Sequence, residues 1–234
     1  MKLTARGGTD AAGVVLFCPA SMPADADAQI EDDPAPLIDQ LQREGKLVWF
    51  PCDSDGGYRL SVYIDEAIPA DLGRYAKEER ALPVLTIVGD AYFGGIEYVF
   101  AADDGRVQRY PHMCTTVAIP AGDYSGSVYS VDTPENVRDA WLLGRAGVRR
   151  LRVHRLHNVV AALAVFGVAT TAVSVCFLPW AFWCGFLAIS VTLAALAFVL
   201  LRSDAVKAVA AADRDFEEAF PDYVVHLRST GHAG

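Results

Sequence analysis

Polar and apolar residues alternate through much of the stretch from Gly13 to Asp132, and beyond His157 the alternation gives way to an unbroken apolar run. In "YRLSVYIDE" (Tyr58–Glu66), Tyr58, Leu60, Val62 and Ile64 fall on one face, and Arg59, Ser61, Tyr63 and Asp65 on the other. That period of two predicts a half-buried antiparallel strand. "GVVLFCPA" (Gly13–Ala20), "KLVWFPC" (Lys46–Cys52) and "LPVLTIVGD" read as further strands. "IEYVFAADDGRVQRY" reads as a hairpin turning at Asp104-Gly105. "TTVAIPAGDYSGSVYSVD" (Thr115–Asp132) predicts two strands around Pro120–Asp123. Helical signals interrupt them at Pro34–Gly45, at Pro69–Arg80 and at "TPENVRDAWLLGRAG", where Thr133 is the expected N-cap and Pro134 the first helical residue. Pro19–Pro36, rich in Ala, Asp and Pro, reads as a long mobile loop. The expected fold is α+β: an antiparallel β-rich domain, sandwich or open barrel, with two or three helices over residues 1–144.

The run Val159–Leu201 contains 43 residues without a charge. One helix of that length would extend roughly 65 Å, about twice the hydrocarbon thickness of a bilayer. Two spans fit, broken at "CFLPWAFWCG", where Pro179 removes a backbone donor and Trp180 and Trp183 suit the headgroup level. The expected transmembrane hairpin comprises helices over 158–178 and 181–201. Small residues along the first helix (Ala161, Ala162, Ala164, Gly167, Ala169, Ala172) permit close packing, against the second helix or against another copy. Residues 202–234 are expected to form a short helix capped by Ser203 and ending before Pro221, then a tail frayed from Arg228 onward.

Charge adds orientation. Residues 1–144 hold 11 Lys/Arg and 23 Asp/Glu, whereas the collar 145–157 holds five arginines and no acid. Arg149, Arg150, Arg152 and Arg155 precede the first span, Arg202 and Lys207 follow the second, and the turn is uncharged. Basic flanks stay in the cytoplasm. The expected location is therefore a bacterial inner membrane crossed twice, both termini cytoplasmic, with the collar against anionic lipid. "GVVLFCPA" is too short for an export signal. The acidic body argues against nucleic-acid binding. Five cysteines, without a C-x-x-C pair, predict free thiols.

Candidate chemistry is sparse. "DSDGGY" (Asp53–Tyr58) departs from a calcium loop, because Gly57, Tyr58 and Ile64 stand where a ligand, a glycine and a glutamate belong. "GGTDAAG" (Gly7–Gly13) lacks the Gly-Lys-Ser/Thr end of a phosphate loop. His112 and Cys114 offer two metal ligands where zinc needs three or four, and His112 is the only histidine of residues 1–144. The pairs Asp65/Glu66 and Asp103/Asp104 sit at strand ends and turns, where solvation explains them. Glu97, inside an apolar stretch, is the most interesting carboxylate, although alternation turns it outward. These residues assign no catalytic, metal or cofactor site. The leading expectation is a two-span membrane protein tethering a non-catalytic binding module: a sensor, an accessory subunit or a toxin-neutralising partner. Its expected partners are the lipid bilayer and a protein. A tethered enzyme and a purely membrane-structural hairpin are the alternatives.

Overall fold

A computed structural model describes the chain except Ala12, Asp53, Ala102–Asp104, Leu178 and residues 232–234, together with the side chains of Arg106, Phe177, Trp180, Ala181 and Trp183. The fold is mixed α+β, with antiparallel-rich sheets. Residues Met1–Thr133 and Glu218–Gly234 form one compact unit, and Pro134–Glu217 form a second.

The first unit runs β1 (Lys2–Thr9), β2 (Gly13–Phe17), α1 (Ala26–Asp32), α2 (Pro34–Arg43), β3 (Leu47–Pro51), β4 (Gly56–Ile64), α3 (Ala70–Gly73), β5 (Ala76–Ile87), β6 (Ala91–Gly95), α4 (Arg106–Arg109), β7 (Cys114–Val117) and β8 (Gly122–Val131). The second contributes α5 (Glu135–Ala146), α6 (Val148–Phe177), α7 (Trp180–Leu201) and most of α8 (Asp204–Ala219), after which β9 (Tyr223–Ser229) rejoins the first. Five strands pair in the order β1-β4-β9-β8-β5 and four in the order β3-β2-β6-β7.

Side chains from all nine strands meet in one core, among them Ala5, Leu16, Phe50, Val62, Leu85, Phe93, Val117, Val128 and Val225. The two sheets thus wrap a common interior as an open barrel. β1 closes one side: Gly8 N–H donates to Met113 O at 2.9 Å, and Thr115 Oγ1 donates to Arg6 O at 2.6 Å. A Cβ on Gly7 would stand 2.8 Å from Gly94 Cα, so this closure requires a residue without a side chain there. The opposite side, between β3 and β5, stays open apart from Thr86 N–H donating to Gly45 O at 2.8 Å and the Arg80 guanidinium donating to Trp49 O. On the outer face of the four-stranded sheet, Val15, Phe17 and Leu47 pack under Ala26, Ile30, Leu37, Ile38 and Leu41 of α1 and α2. β2 is therefore buried along its whole length.

Several expectations are corrected. The tail is not frayed at Arg228. β9 lies mid-sheet, parallel to β4 and antiparallel to β8, with Val224, Val225 and Leu227 fully buried. Beyond it, Thr230 N–H donates to Asp123 O at 3.0 Å. β4 is consequently buried on both faces through its second half, Ser61 and Tyr63 included. The expected helix Pro69–Arg80 is a single turn followed by β5, whose charged "KEER" sits exposed or half-buried on an edge strand, where charge discourages further pairing. Pro19–Pro36 holds α1, anchored by Met22, Ala26 and Ile30. The hairpin expected around Asp104-Gly105 has its first residue outside the described ones. Its flanks are a 3₁₀ turn (Ile96–Tyr98) and α4, with Val99 and Phe100 buried.

In the second unit, the collar is not a separate element. α5 ends at Ala146, Gly147 adopts φ 81°, and α6 continues unbroken from Val148 through the arginines into the apolar run. α6 and α7 are each long and apolar enough to cross a membrane. They pack through Val160, Ala164, Thr171 and Ser174 on α6 and Ser190 and Ala197 on α7, all buried. A Cβ on Gly167 would stand 2.4 Å from Ser190 Oγ, so the glycine sets how closely these helices approach. α8 is capped by Ser203, whose Oγ accepts from Val206 N–H at 3.3 Å. Val209 and Ala212 of α8 pack on Leu142 and Ala146 of α5.

β9 contributes buried side chains to the core of the first unit. Val224, Val225 and Leu227 are fully buried, each worth about 1.5–3 kcal/mol of gross burial. Leu227→Ala is expected to cost about 2–5 kcal/mol, read as a lowered denaturation midpoint of the full chain. A chain ending at Ala219 is expected to lose cooperative unfolding of the β-rich unit. Unchanged melting of both variants would mean that β9 is not part of this core.

Candidate functional site

The open side of the barrel forms a cleft of about 710 Å³. Register explains its lining. Cross-strand partners share a face of the sheet, so Arg80, opposite the core residue Val128, points into the barrel, as do Tyr58, Tyr223 and Ser130 toward its open end. Phe50, Tyr223 and Tyr58 stack in series, with ring centroids 4.9 and 5.9 Å apart. Glu79, Asp132 and Asp222 stand at the rim.

The edge of β3 that faces this cleft is chemically blocked. Trp49 N–H donates to Gln42 Oε1 at 3.4 Å, Trp49 O accepts from Arg80, Pro51 has no donor, and Pro51 O accepts from the Tyr223 hydroxyl. The groups an added strand would need are occupied. The cleft thus suits a compact ligand better than an added strand.

Burial sets the protonation of its polar groups. Asp222 reaches solvent but is walled by protein, which pushes its carboxyl above the usual range; Arg59 N–H, donating to Oδ2 at 2.7 Å, opposes this. Burial also pushes up the Tyr223 hydroxyl and the Cys52 thiol, whose Sγ lies 3.7 Å from that hydroxyl. Cys52 therefore stays a thiol at neutral pH and offers no activated nucleophile. Glu79 is held below the usual range by Ser130 Oγ, 2.6 Å away, and by Lys77. Burial likewise lowers the Arg80 guanidinium. Among the described residues no carboxylate lies within ion-pair range of Arg80, whose one hydrogen bond goes to a backbone carbonyl.

The residues singled out in the sequence lie elsewhere. Glu97 occupies the 3₁₀ turn instead of a strand, and its carboxylate accepts from Thr9 Oγ1 at 3.1 Å and Asp10 N–H at 2.8 Å, clamping the turn between β1 and β2. His112 is exposed, whereas Cys114 is buried against Gly94, so the two do not converge. Asp53 and the pair Asp103/Asp104 lie outside the described residues. Of the remaining loop, Ser54 O accepts from the Tyr58 hydroxyl at 2.6 Å. Gly7 and Gly8 serve the closure of β1. Arg149, Arg150 and Arg152 are exposed on α6. Arg155 meets Asp139 at 3.7 Å, and Arg202 covers the Phe198 ring at 4.2 Å. Pro179 is exposed at the α6–α7 turn; the side chains of Trp180 and Trp183 are outside the described set. Sequence reasoning missed Arg80, assigned to a helix, and Asp222 and Tyr223, assigned to a tail. The period-two run "YVVHLRS" was the available signal for the latter.

No family model matches the chain, and no curated protein matches it. Among solved structures it is similar to a chain titled "Crocagin biosynthetic gene J", at 14% identity, over 56% of this chain and 77% of that one, with a TM-score of 0.37. A likeness at that score carries no argument.

The raised Asp222 carboxyl makes a signed prediction. Its protonated form is favoured by folding, so the stability it adds is present at low pH and is lost as pH rises through its elevated pKa. Asp222→Asn, which keeps the acceptor for Arg59 N–H, is expected to melt at or above wild type at pH 7.5. The gap should close as pH falls to about 4, where the wild-type group takes up its proton. A variant melting several degrees below wild type at pH 7.5 would show that the charge itself is needed.

Proposed function

We propose that this chain is a membrane-anchored binding module. Two spans hold a β-barrel at the cytoplasmic face of a membrane, and the open side of the barrel takes a small organic ligand carrying an anionic group on an apolar body. The observation that carries the reading is the 710 Å³ cleft in which Arg80 stands half-buried, with no carboxylate in ion-pair range among the described residues. Its volume falls in the range of small-molecule sites, and barrel mouths are among their usual locations. The aromatic series Phe50–Tyr223–Tyr58 supplies an apolar wall. A guanidinium with free donors presents the planar fork that carboxylates and phosphates engage in bidentate fashion.

The membrane part of the reading rests on helix length and composition and on the arginines flanking the uncharged run. Same-side termini are supported by connectivity: β9 hydrogen-bonds between β4 and β8, so the segments before α5 and after α8 belong to one sheet. Two crossings satisfy that; one does not. A sensor or accessory-subunit role follows from this arrangement, in which ligand occupancy is read by a protein partner at the membrane.

The test is thermal unfolding of the full chain in nanodiscs against a panel of aromatic carboxylates, organic phosphates and amines. Anionic members are expected to raise the melting temperature of wild type. Arg80→Gln is expected to weaken them about ten- to hundredfold, the worth of one charge-assisted hydrogen bond. Stabilisation by amines alone, or equal binding by Arg80→Gln, would contradict the reading.

A further inference from the structure

α5 and the start of α6 enclose a second cavity, within the helical unit, of about 360 Å³. Arg152, Arg155 and Asp139 line it together with Leu143, Val148 and Leu151. Four arginines of α5 and α6 fall into two groups. Arg138 grips Asp213 with two hydrogen bonds of 2.9 and 2.8 Å. Arg145 meets Asp215 at 2.9 Å and lies over the Trp141 ring. Both are neutralised by α8. At the cavity, by contrast, Arg155 is held only loosely by Asp139, at 3.7 Å with both side chains about two-thirds exposed, and Arg152 has no ion pair among the described residues.

The place of this cavity along the chain narrows what would fill it. Arg155 is the last formally charged residue before the run that ends at Leu201. A helix rises 1.5 Å per residue, so Arg152 and Arg155 lie within about two turns of the first uncharged residues. In a spanning helix that is headgroup depth. Leu143 and Val148, at the same cavity, are 45% and 52% exposed. The cavity thus combines two available guanidinium forks with an uncovered apolar wall, and its formal charge is +1 from two arginines and one aspartate.

We propose that this notch binds one anionic glycerophospholipid. The phosphodiester carries a single negative charge, matching the notch, and its oxygens accept from Arg152 and Arg155. Leu143, Val148 and Leu151 receive the glycerol backbone and the first methylenes of the acyl chains. Asp139 keeps its contact with Arg155 and presents an acceptor to a headgroup hydroxyl. The basic collar then has two functions: all its arginines bias orientation, and two of them hold a specific lipid. The proposal rests on α6 spanning a bilayer.

The test is lipid retention by the full-length, detergent-solubilised protein, read by native mass spectrometry, with phosphatidylglycerol against phosphatidylcholine. Wild type is expected to retain one phosphatidylglycerol. Arg152→Gln/Arg155→Gln is expected to hold it roughly tenfold more weakly or worse. Arg149→Gln/Arg150→Gln, which removes the same charge outside the notch, is expected to match wild type. Inorganic phosphate at millimolar concentration is expected not to displace the lipid. Equal loss in both double variants would overturn the proposal in favour of a diffuse charge effect. Displacement by phosphate would assign the notch to a free anion, and equal retention of phosphatidylcholine would remove the charge argument. Alkaline extraction of membranes reports the anchoring separately: a protein released by carbonate refutes the spanning helices, whereas one retained without lipid selectivity refutes only the notch.

Discussion

The backbone pairing of β9 between β4 and β8 is the constraint on which the rest of the structure depends. A strand in mid-sheet satisfies the hydrogen-bonding groups of two neighbours, and here it also fills the centre of the barrel with Val225 and Leu227. β8 and β9 are antiparallel neighbours, which a two-residue turn could join. In this chain the route from β8 to β9 passes through α5, α6, α7 and α8. The apolar helices are therefore an insertion within the barrel's own connectivity. The strands on either side of that insertion, β8 and β9, are hydrogen-bonded to each other. β9 also supplies Tyr223, and the residue before it supplies Asp222, so the cleft is complete only after the chain has come back.

That connectivity explains which parts of the structure are legible in the sequence. Local pattern sufficed for β2, β3, β7 and β8, for α2, and for the cap of α8 by Ser203, since each is encoded by neighbours in the chain. The apolar helices were equally plain, because 43 consecutive uncharged residues admit few structures. What failed was long-range. "RYAKEER" has helix-forming residues, and only the ladder with β8 makes it a strand. "YVVHLRS" alternates as clearly as "YRLSVYI", but its position after a membrane segment and next to the terminus suggested a tail. Glu97 drew notice as a carboxylate among apolar residues. Its partners, Thr9 and Asp10, lie almost 90 positions earlier, and the clamp they form is invisible to local pattern.

The two cavities share one feature, an arginine without an ion pair among the described residues. A guanidinium draws its specificity from what it is not already bonded to, and in both places arginines keep free donors beside apolar or aromatic surface. At the cleft, Glu79 is engaged by Ser130, and Arg80 meets no carboxylate among the described residues. In the helical unit, Asp213 and Asp215 take up Arg138 and Arg145 but leave Arg152 unpaired among the described residues. An acidic chain of net charge −9 thus leaves individual guanidinium groups available by engaging its carboxylates elsewhere. Neither site depends on overall charge, which would predict repulsion of anions.

Hydrogen exchange of the full chain in nanodiscs tests the place of β9 most directly. Amides over 223–229 are expected to exchange as slowly as those of β4 and β8, because they share the same ladders and core. Exchange of that segment within seconds, while β4 and β8 remain protected, would show that the strand is not in the sheet, and the barrel, its cleft and the same-side argument would fall together.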